Sequence, residues 1–222
     1  MSRTPDRFFI RRGLVLGIAA APFAAHATAR KGVVTILGDS ITAGLGLPAA
    51  AALPAQLGLA LARLRTAVVV RGAGVSGDTT EDGLGRLNFS VQADTDVCLV
   101  ALGGNDLLQG LDPNTTKANL AGIVQKLKAR RMGVVLAGMT APRAVGAGYA
   151  REFSAVFPAV AKAERVPLYP DLLAGVGPSL RQGDGIHPNA TGVKIIATGL
   201  APIVARALAE RALAERAPRP RR

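Results

Sequence analysis

A chain of 222 residues holds one domain with a sizeable core and not comfortably two. Its 49% apolar content excludes a disordered chain, and a single cysteine, Cys98, excludes an internal disulfide framework. The formal net charge of +12 raises the possibility of nucleic-acid or membrane-surface binding. However, arginines crowd the two ends (Arg3, Arg7, Arg11, Arg12, then Arg206, Arg211, Arg216, Arg219, Arg221 and Arg222), and the middle carries no basic stripe interleaved with aromatics.

In chain order, residues 1–29 read as a cleavable export signal. Basic residues precede an apolar stretch from Gly13 to Ala25, and small residues follow at Ala25-His26-Ala27 and Ala27-Thr28-Ala29. Arg11-Arg12 leaves the twin-arginine and general secretory routes equally open. The stretch is too short to span a bilayer comfortably, so no stable membrane span is expected after cleavage, and the protein is expected in the periplasm or medium.

Val33 to Leu37 has the short β-branched pattern of a buried strand. Ala49 to Leu64 reads as a helix with Leu53, Leu57, Leu61 and Leu64 on one face, Ala67 to Val70 as a second strand, and Asp78 to Leu87 as a short helix. Asp96 to Leu102 carries a third, wholly apolar strand; Cys98 inside it reads as a small buried hydrophobe. A helix over Thr115–Arg131, a strand over Val134–Ala137, a loop over Met139–Gly148 and a helix over Tyr149–Glu164 follow. Val166–Tyr169 reads as a fifth strand, at an edge because Pro167 lies inside it. A last helix spans Asn189–Leu200, and Pro202 is expected to end or kink it. The domain is thus expected over 30–204, followed by a basic tail over 205–222 whose Ala-Leu-Ala-Glu-Arg repeat extends a helix at most.

Strands alternating with helices imply βαβ units and a mostly parallel sheet, with ligands beyond the carboxyl ends of the strands. Ser40 follows the first strand, Gly77 the second and Asn105 the third, so all three emerge at one edge. Asp184 and His187 lie in the loop after the fifth strand and can reach it.

A hydroxyl at a strand end, a histidine, a nearby carboxylate and amide donors are the parts of an acyl-transfer hydrolase. His187 is the sole histidine past residue 29 and the natural base near neutral pH, or else a capping residue held by Pro188 and Asn189. Asp184, three residues earlier, can hold Nδ1–H in a tight turn and leave Nε2 for Ser40. Asn105 is either a neutral oxyanion donor or a turn asparagine, and Asp106 reads as a structural acceptor. No Cys/His cluster has metal-site spacing. Gly72-Ala73-Gly74-Val75-Ser76-Gly77 matches a dinucleotide fingerprint, but it follows the second strand and opens onto Asp78, Glu81 and Asp82, which would repel a pyrophosphate. No cofactor is expected.

Four ordered blocks, Gly38-Asp39-Ser40, Ser76-Gly77-Asp78-Thr79, Gly103-Gly104-Asn105-Asp106 and Asp184-Gly185-Ile186-His187-Pro188-Asn189, resemble the SGNH hydrolases, also called the GDSL esterase/lipase family. The resemblance runs from about Val33 to about Leu200 and is nearest to exported bacterial thioesterase, arylesterase and lysophospholipase types. It implies an α/β fold: a three-layer α/β/α sandwich on a flavodoxin-like five-stranded parallel sheet of order 2-1-3-4-5. It also implies Ser40 as nucleophile, His187 as base, Asp184 as its orienting acid, and an oxyanion hole from the Ser40 and Gly77 N–H groups and the Asn105 amide. Leu107, Leu108 and Leu111 could contact an acyl chain or simply pack their loop; Leu107–Pro113 and Met139–Gly148 are the loops that shape the pocket. The partner implied is a small acyl ester or thioester, with a carbohydrate O-deacetylase or a non-catalytic binding protein as alternatives.

Overall fold

The computed structural model describes residues 30–216. The export signal expected over 1–29 and the chain end at 217–222 lie outside the described residues. Five strands, β1 Gly32–Gly38, β2 Val68–Gly74, β3 Val97–Ala101, β4 Gly133–Ala137 and β5 Leu168–Tyr169, form one parallel sheet of order β2-β1-β3-β4-β5. That is the expected order. The crossovers are carried by helices α1 Ser40–Ala43, α2 Leu53–Arg63, α3 Thr80–Gly85, α4 Leu87–Ser90, α5 Gly104–Leu108, α6 Pro113–Ala129, α7 Ala147–Glu164 and α8 Ala190–Arg216.

The sheet is central because its strands are apolar on both faces. Every residue of β3 is buried, as is every residue of β1 from Val33 onward. Leu53, Leu57 and Leu61 of α2 bury one stripe, and α2 packs against α8. On the other face α6 buries Leu120, Ile123, Val124 and Leu127 against α7, which contributes Phe153, Val156, Phe157 and Val160. Two helical layers and a sheet between them make the three-layer sandwich.

The register levels the strand ends. Gly38 pairs with Gly74 on one side and with Ala101 on the other, so β1, β2 and β3 finish together and the segments after them start from one edge. β2 extends past the expected Val70 to Gly74, so the glycines of the apparent dinucleotide fingerprint lie in a strand. Gly74 is there for close approach: a Cβ would stand 2.4 Å from the Ala43 nitrogen and 2.6 Å from the Asp39 carbonyl.

Other departures are local. The helix expected over 78–87 breaks at Arg86 into α3 and α4, and Thr79 caps α3 with a reciprocal Thr79–Asp82 capping box. The segment after β3, expected as loop, begins with the short helix α5. Most consequential is α8, which runs through Pro202 to Arg216, past the expected domain end at residue 204. Pro202 lies on the exposed side, where its missing N–H faces solvent. Val204, Ala207 and Leu208 beyond it are buried. Burying a Val or Leu side chain contributes about 1.5–3 kcal/mol, so this stripe offsets the roughly 3 kcal/mol penalty of an internal proline. By length and composition α8 could cross a membrane, yet Val193, Ile196, Leu200 and Val204 sit in the core of the domain.

Candidate active site

Ser40 is the first residue of α1, immediately after β1. Asp39 caps that helix, its Oδ1 accepting from the Ile41 N–H at 3.0 Å. The cap sets where the turn begins and thereby holds the Ser40 side chain at the sheet edge. Ser40 is buried, with 8% of its surface exposed, and its Oγ lies 2.8 Å from His187 Nε2.

His187 Nδ1 lies 2.6 Å from Asp184 Oδ2. The other carboxylate oxygen, Oδ1, accepts from the backbone N–H groups of Ile186 at 2.9 Å and His187 at 3.0 Å. These three hydrogen bonds, that from His187 first, pull the Asp184 pKa down to about 2. A carboxylate ionised at neutral pH only accepts, so Nδ1 carries the imidazole proton and Nε2 presents a lone pair to the Ser40 hydroxyl. The spacing of Asp184 and His187 closes the turn that the sequence predicts. The turn is further held by Gln182 N–H to His187 O at 2.8 Å, and Gln182 Nε2 reaches Leu45 O at 2.8 Å, tying the loop to the segment after α1.

The expected amide donors stand on the segments that follow β1, β2 and β3. Neither the Ser40 N–H nor the Gly77 N–H donates to any acceptor among the described residues. Gly77 has φ +91°, a left-handed conformation that side chains other than glycine's resist. Asn105 Nδ2 donates to Asp78 O at 2.8 Å, which occupies one amide hydrogen and leaves the other. Asp106, buried beside it, accepts from Thr80 N–H, Thr80 Oγ and Thr116 Oγ, a structural acceptor as expected.

Ser40, His187 and Asn105 line a cavity of about 420 Å³. Leu107 and Leu108 line it too, joined by Met139, Pro142 and Val145 of the loop after β4. Leu111 does not; its carbonyl accepts from the Tyr149 hydroxyl. Gly77 lies outside the lining and is coupled to it through Asp78 and Asn105.

Two residues at the site carried no role in the sequence reading. Arg86 donates from Nε to Asp78 Oδ2 at 2.5 Å and from Nη2 to Gly38 O at 2.8 Å, clamping the Gly77–Asp78 loop to the end of β1. No motif marks it, because it meets Asp78 across the length of α3. Asp39 is 2% exposed, and burial raises its pKa to about 6 despite the hydrogen bond from Ile41. An aspartate just before a helical turn is the one signal that could have pointed to it, as a cap. Among the described residues no group of three or more His, Cys, Asp or Glu is placed to hold a metal ion.

The description "GDSL-like Lipase/Acylhydrolase family" matches residues 36–195. The chain is 39% identical over 169 residues to the thioesterase 1/protease 1/lysophospholipase L1 of Escherichia coli K12, covering 75% of this chain and 80% of that protein. It is 40% identical over 156 residues to the esterase TesA of Pseudomonas aeruginosa, covering 69% and 78% respectively. Among solved structures, that of TesA superposes with a TM-score of 0.75 at 35% identity, covering 79% of this chain and 99% of that one. That of AlinE4, an SGNH-hydrolase family esterase, superposes with a TM-score of 0.69 at 39% identity, covering 82% and 99%.

Proposed function

This chain belongs to the GDSL-like lipase/acylhydrolase family and is a hydrolase of the esterase type, and we propose that it cleaves acyl esters or thioesters through Ser40, His187 and Asp184. The observation that carries the proposal is the hydrogen-bonded line from Asp184 through His187 to Ser40.

Ser40 Oγ attacks the acyl carbonyl carbon as its proton passes to His187 Nε2. Asp184, ionised, keeps Nδ1–H in place and stabilises the imidazolium that forms. The N–H groups of Ser40 and Gly77 and the free hydrogen of Asn105 Nδ2 receive the negative charge of the tetrahedral intermediate. His187 then protonates the departing alcohol or thiol, leaving an acyl-enzyme on Ser40. Water, giving its proton to His187, attacks that ester; His187 returns the proton to Ser40 Oγ as the acyl bond breaks, and the acid is released. Leu107, Leu108, Met139, Pro142 and Val145 form the wall along which an acyl chain lies.

A carbohydrate O-deacetylase is the weaker reading, because none of the residues lining the cavity is Phe, Tyr or Trp, the side chains on which a sugar ring stacks. A non-catalytic binding protein would need none of the Asp184–His187–Ser40 geometry. We further propose export, with residues 1–29 removed after Ala27 or Ala29; an intact mass of the full chain from the native envelope would refute it.

The deciding experiment pairs Ser40→Ala with a fluorophosphonate probe and a short-chain chromogenic ester. The parent protein labels and turns over; the variant melts at the same temperature and does neither. Labelling of the variant would remove Ser40 from the role.

A further inference from the structure

The edge of the sheet opposite the active site has a chemistry of its own. Because all five strands run one way, the helices between them run back and end where the next strand begins. Arg65, Arg131 and Arg165 stand at three of those turns, after α2, α6 and α7. Among the described residues they are also the only non-glycine residues with positive φ, at 56°, 60° and 55°. Each turn closes with the same backbone hydrogen bond, from Thr66 to Leu61 O, Met132 to Leu127 O and Val166 to Ala161 O. Glycine is the usual residue at the left-handed position of such a turn. A side chain is strained there, and a cation at an exposed helix end gains no more from the dipole than that strain costs. All three arginines are exposed, and none belongs to an ion pair of the described residues. Three strained arginines at one edge point to a partner outside the chain.

More charge gathers around them. A cleft of about 730 Å³ between the ends of α6, α7 and α8 is lined by Lys128, Arg131, Arg165 and Arg211, against Glu210 and Glu215. Arg206 and Arg216 are exposed on α8, and the sequence continues with Arg219, Arg221 and Arg222. These cations are scattered along the chain, and folding brings those of α6, α7 and α8 to one end. The two most exposed large apolar side chains of the described residues stand there too. Leu213, 66% exposed, is on the last turns of α8. Phe89, 85% exposed, lies two residues before Val91, whose carbonyl accepts from Arg130 at the end of α6. Leu64, 49% exposed, adjoins Arg65. Cations interleaved with exposed apolar side chains suit an anionic bilayer, where the headgroups attract the charge and the apolar groups enter below them. A soluble polyanion would engage the charge and leave Leu213 and Phe89 without a use.

Independently of the hydrolase reading above, we propose that this end of the molecule docks on an anionic phospholipid bilayer, with the active site at the opposite edge left facing the solution.

Parent and variants, each in the form the native cell accumulates, are sedimented with vesicles of phosphatidylcholine alone and of phosphatidylcholine mixed equally with phosphatidylglycerol. The parent binds the mixed vesicles and not the neutral ones, and added NaCl releases it. Arg65→Gly, Arg131→Gly and Arg165→Gly together remove three charges and suit the backbone, so the variant stays folded by its melting curve. Its partition onto the mixed vesicles falls about 100-fold, at roughly fivefold per cation. Phe89→Ser with Leu213→Ser, both on the surface, lowers the partition about 10-fold and leaves the melting temperature unchanged. A short water-soluble ester is turned over equally by bound and free protein. A parent that ignores the mixed vesicles, or a triple variant that binds them as well as the parent, overturns the inference. So does vesicle binding that blocks turnover of the soluble ester, which would put the active-site edge on the bilayer. Binding that duplex DNA competes away and that the apolar pair of substitutions does not alter would assign the face to nucleic acid, and overturns it as well.

Discussion

Replacing Asn105 with alanine separates catalysis from stability, because the structure gives its amide two tasks. One amide hydrogen is held by Asp78 O at 2.8 Å; the other is free to meet a developing oxyanion. Loss of an oxyanion donor lowers kcat by roughly 10²–10³-fold, or about 2.7–4 kcal/mol of transition-state stabilisation. KM changes much less, since the charge develops only in the transition state. Loss of the bond to Asp78 costs about 1 kcal/mol. For a chain of this size that lowers Tm by roughly 2–4 °C. The fold survives because Arg86 still grips the Asp78 carboxylate and Gly38 O, keeping the Gly77 loop on the end of β1. Asn105→Asp is at least as harmful to kcat, since it sets a carboxylate against the Asp78 carbonyl and the oxyanion alike. The assay is kcat per site, titrated with an organophosphate, alongside a melting curve. A kcat per titrated site within about threefold of the parent, with the same small loss of Tm, would reduce Asn105 to a turn residue and refute the mechanism drawn through it.

Three other substitutions probe what surrounds it. Asp184→Asn can donate to His187 Nδ1 and so turns Nε2–H toward Ser40; kcat falls about 10³–10⁴-fold with little change in Tm, and a loss below tenfold would show that Asp184 does not set the tautomer. Asp39, an acid raised from 3.8 to about 6 by burial, destabilises the folded state once ionised. Stability linked to it is fully present below about pH 4 and falls as pH rises through about 6, by about 3 kcal/mol in all. Asp39→Asn keeps an oxygen for the Ile41 N–H and lacks that slope, so urea unfolding at pH 4.5 and 8 shows the variant gaining on the parent at pH 8; parallel profiles would refute the assignment. Leu208→Ala lowers unfolding free energy by about 2 kcal/mol, the low end for a buried leucine, whereas a tail detached from the domain would give no change in the urea midpoint.

The strands and their parallel pairing were legible because buried parallel strands are short apolar runs, and runs such as Val97-Cys98-Leu99-Val100 have no alternative solvated state, whereas the strand order came only from the resemblance of the four blocks to a known family. Ser40, Asn105, Asp184 and His187 were legible for the same reason: each stands just past a strand or in a tight glycine-flanked turn, and one-dimensional order was enough to bring them to one edge. What lay beyond local order was not. The Gly72–Gly74 strand end depends on β2 finding β1, and only that pairing turns a glycine-rich stretch from a loop into the surface against which Asp39 packs. Pro202 reads as a stop or a kink, since a proline removes a hydrogen bond wherever it is read; that the gap faces solvent while Val204, Ala207 and Leu208 meet the core is decided by how α8 lies on the sheet. The Arg86 clamp joins residues from separate elements, and side-chain charge on a surface helix or loop carries no periodic signal. Chain order is enough to state which residues reach the sheet edge and that Asp184 can close a turn on His187; the long-range hydrogen bonds that bring His187 to Ser40 and Arg86 to Gly38 are set by tertiary packing.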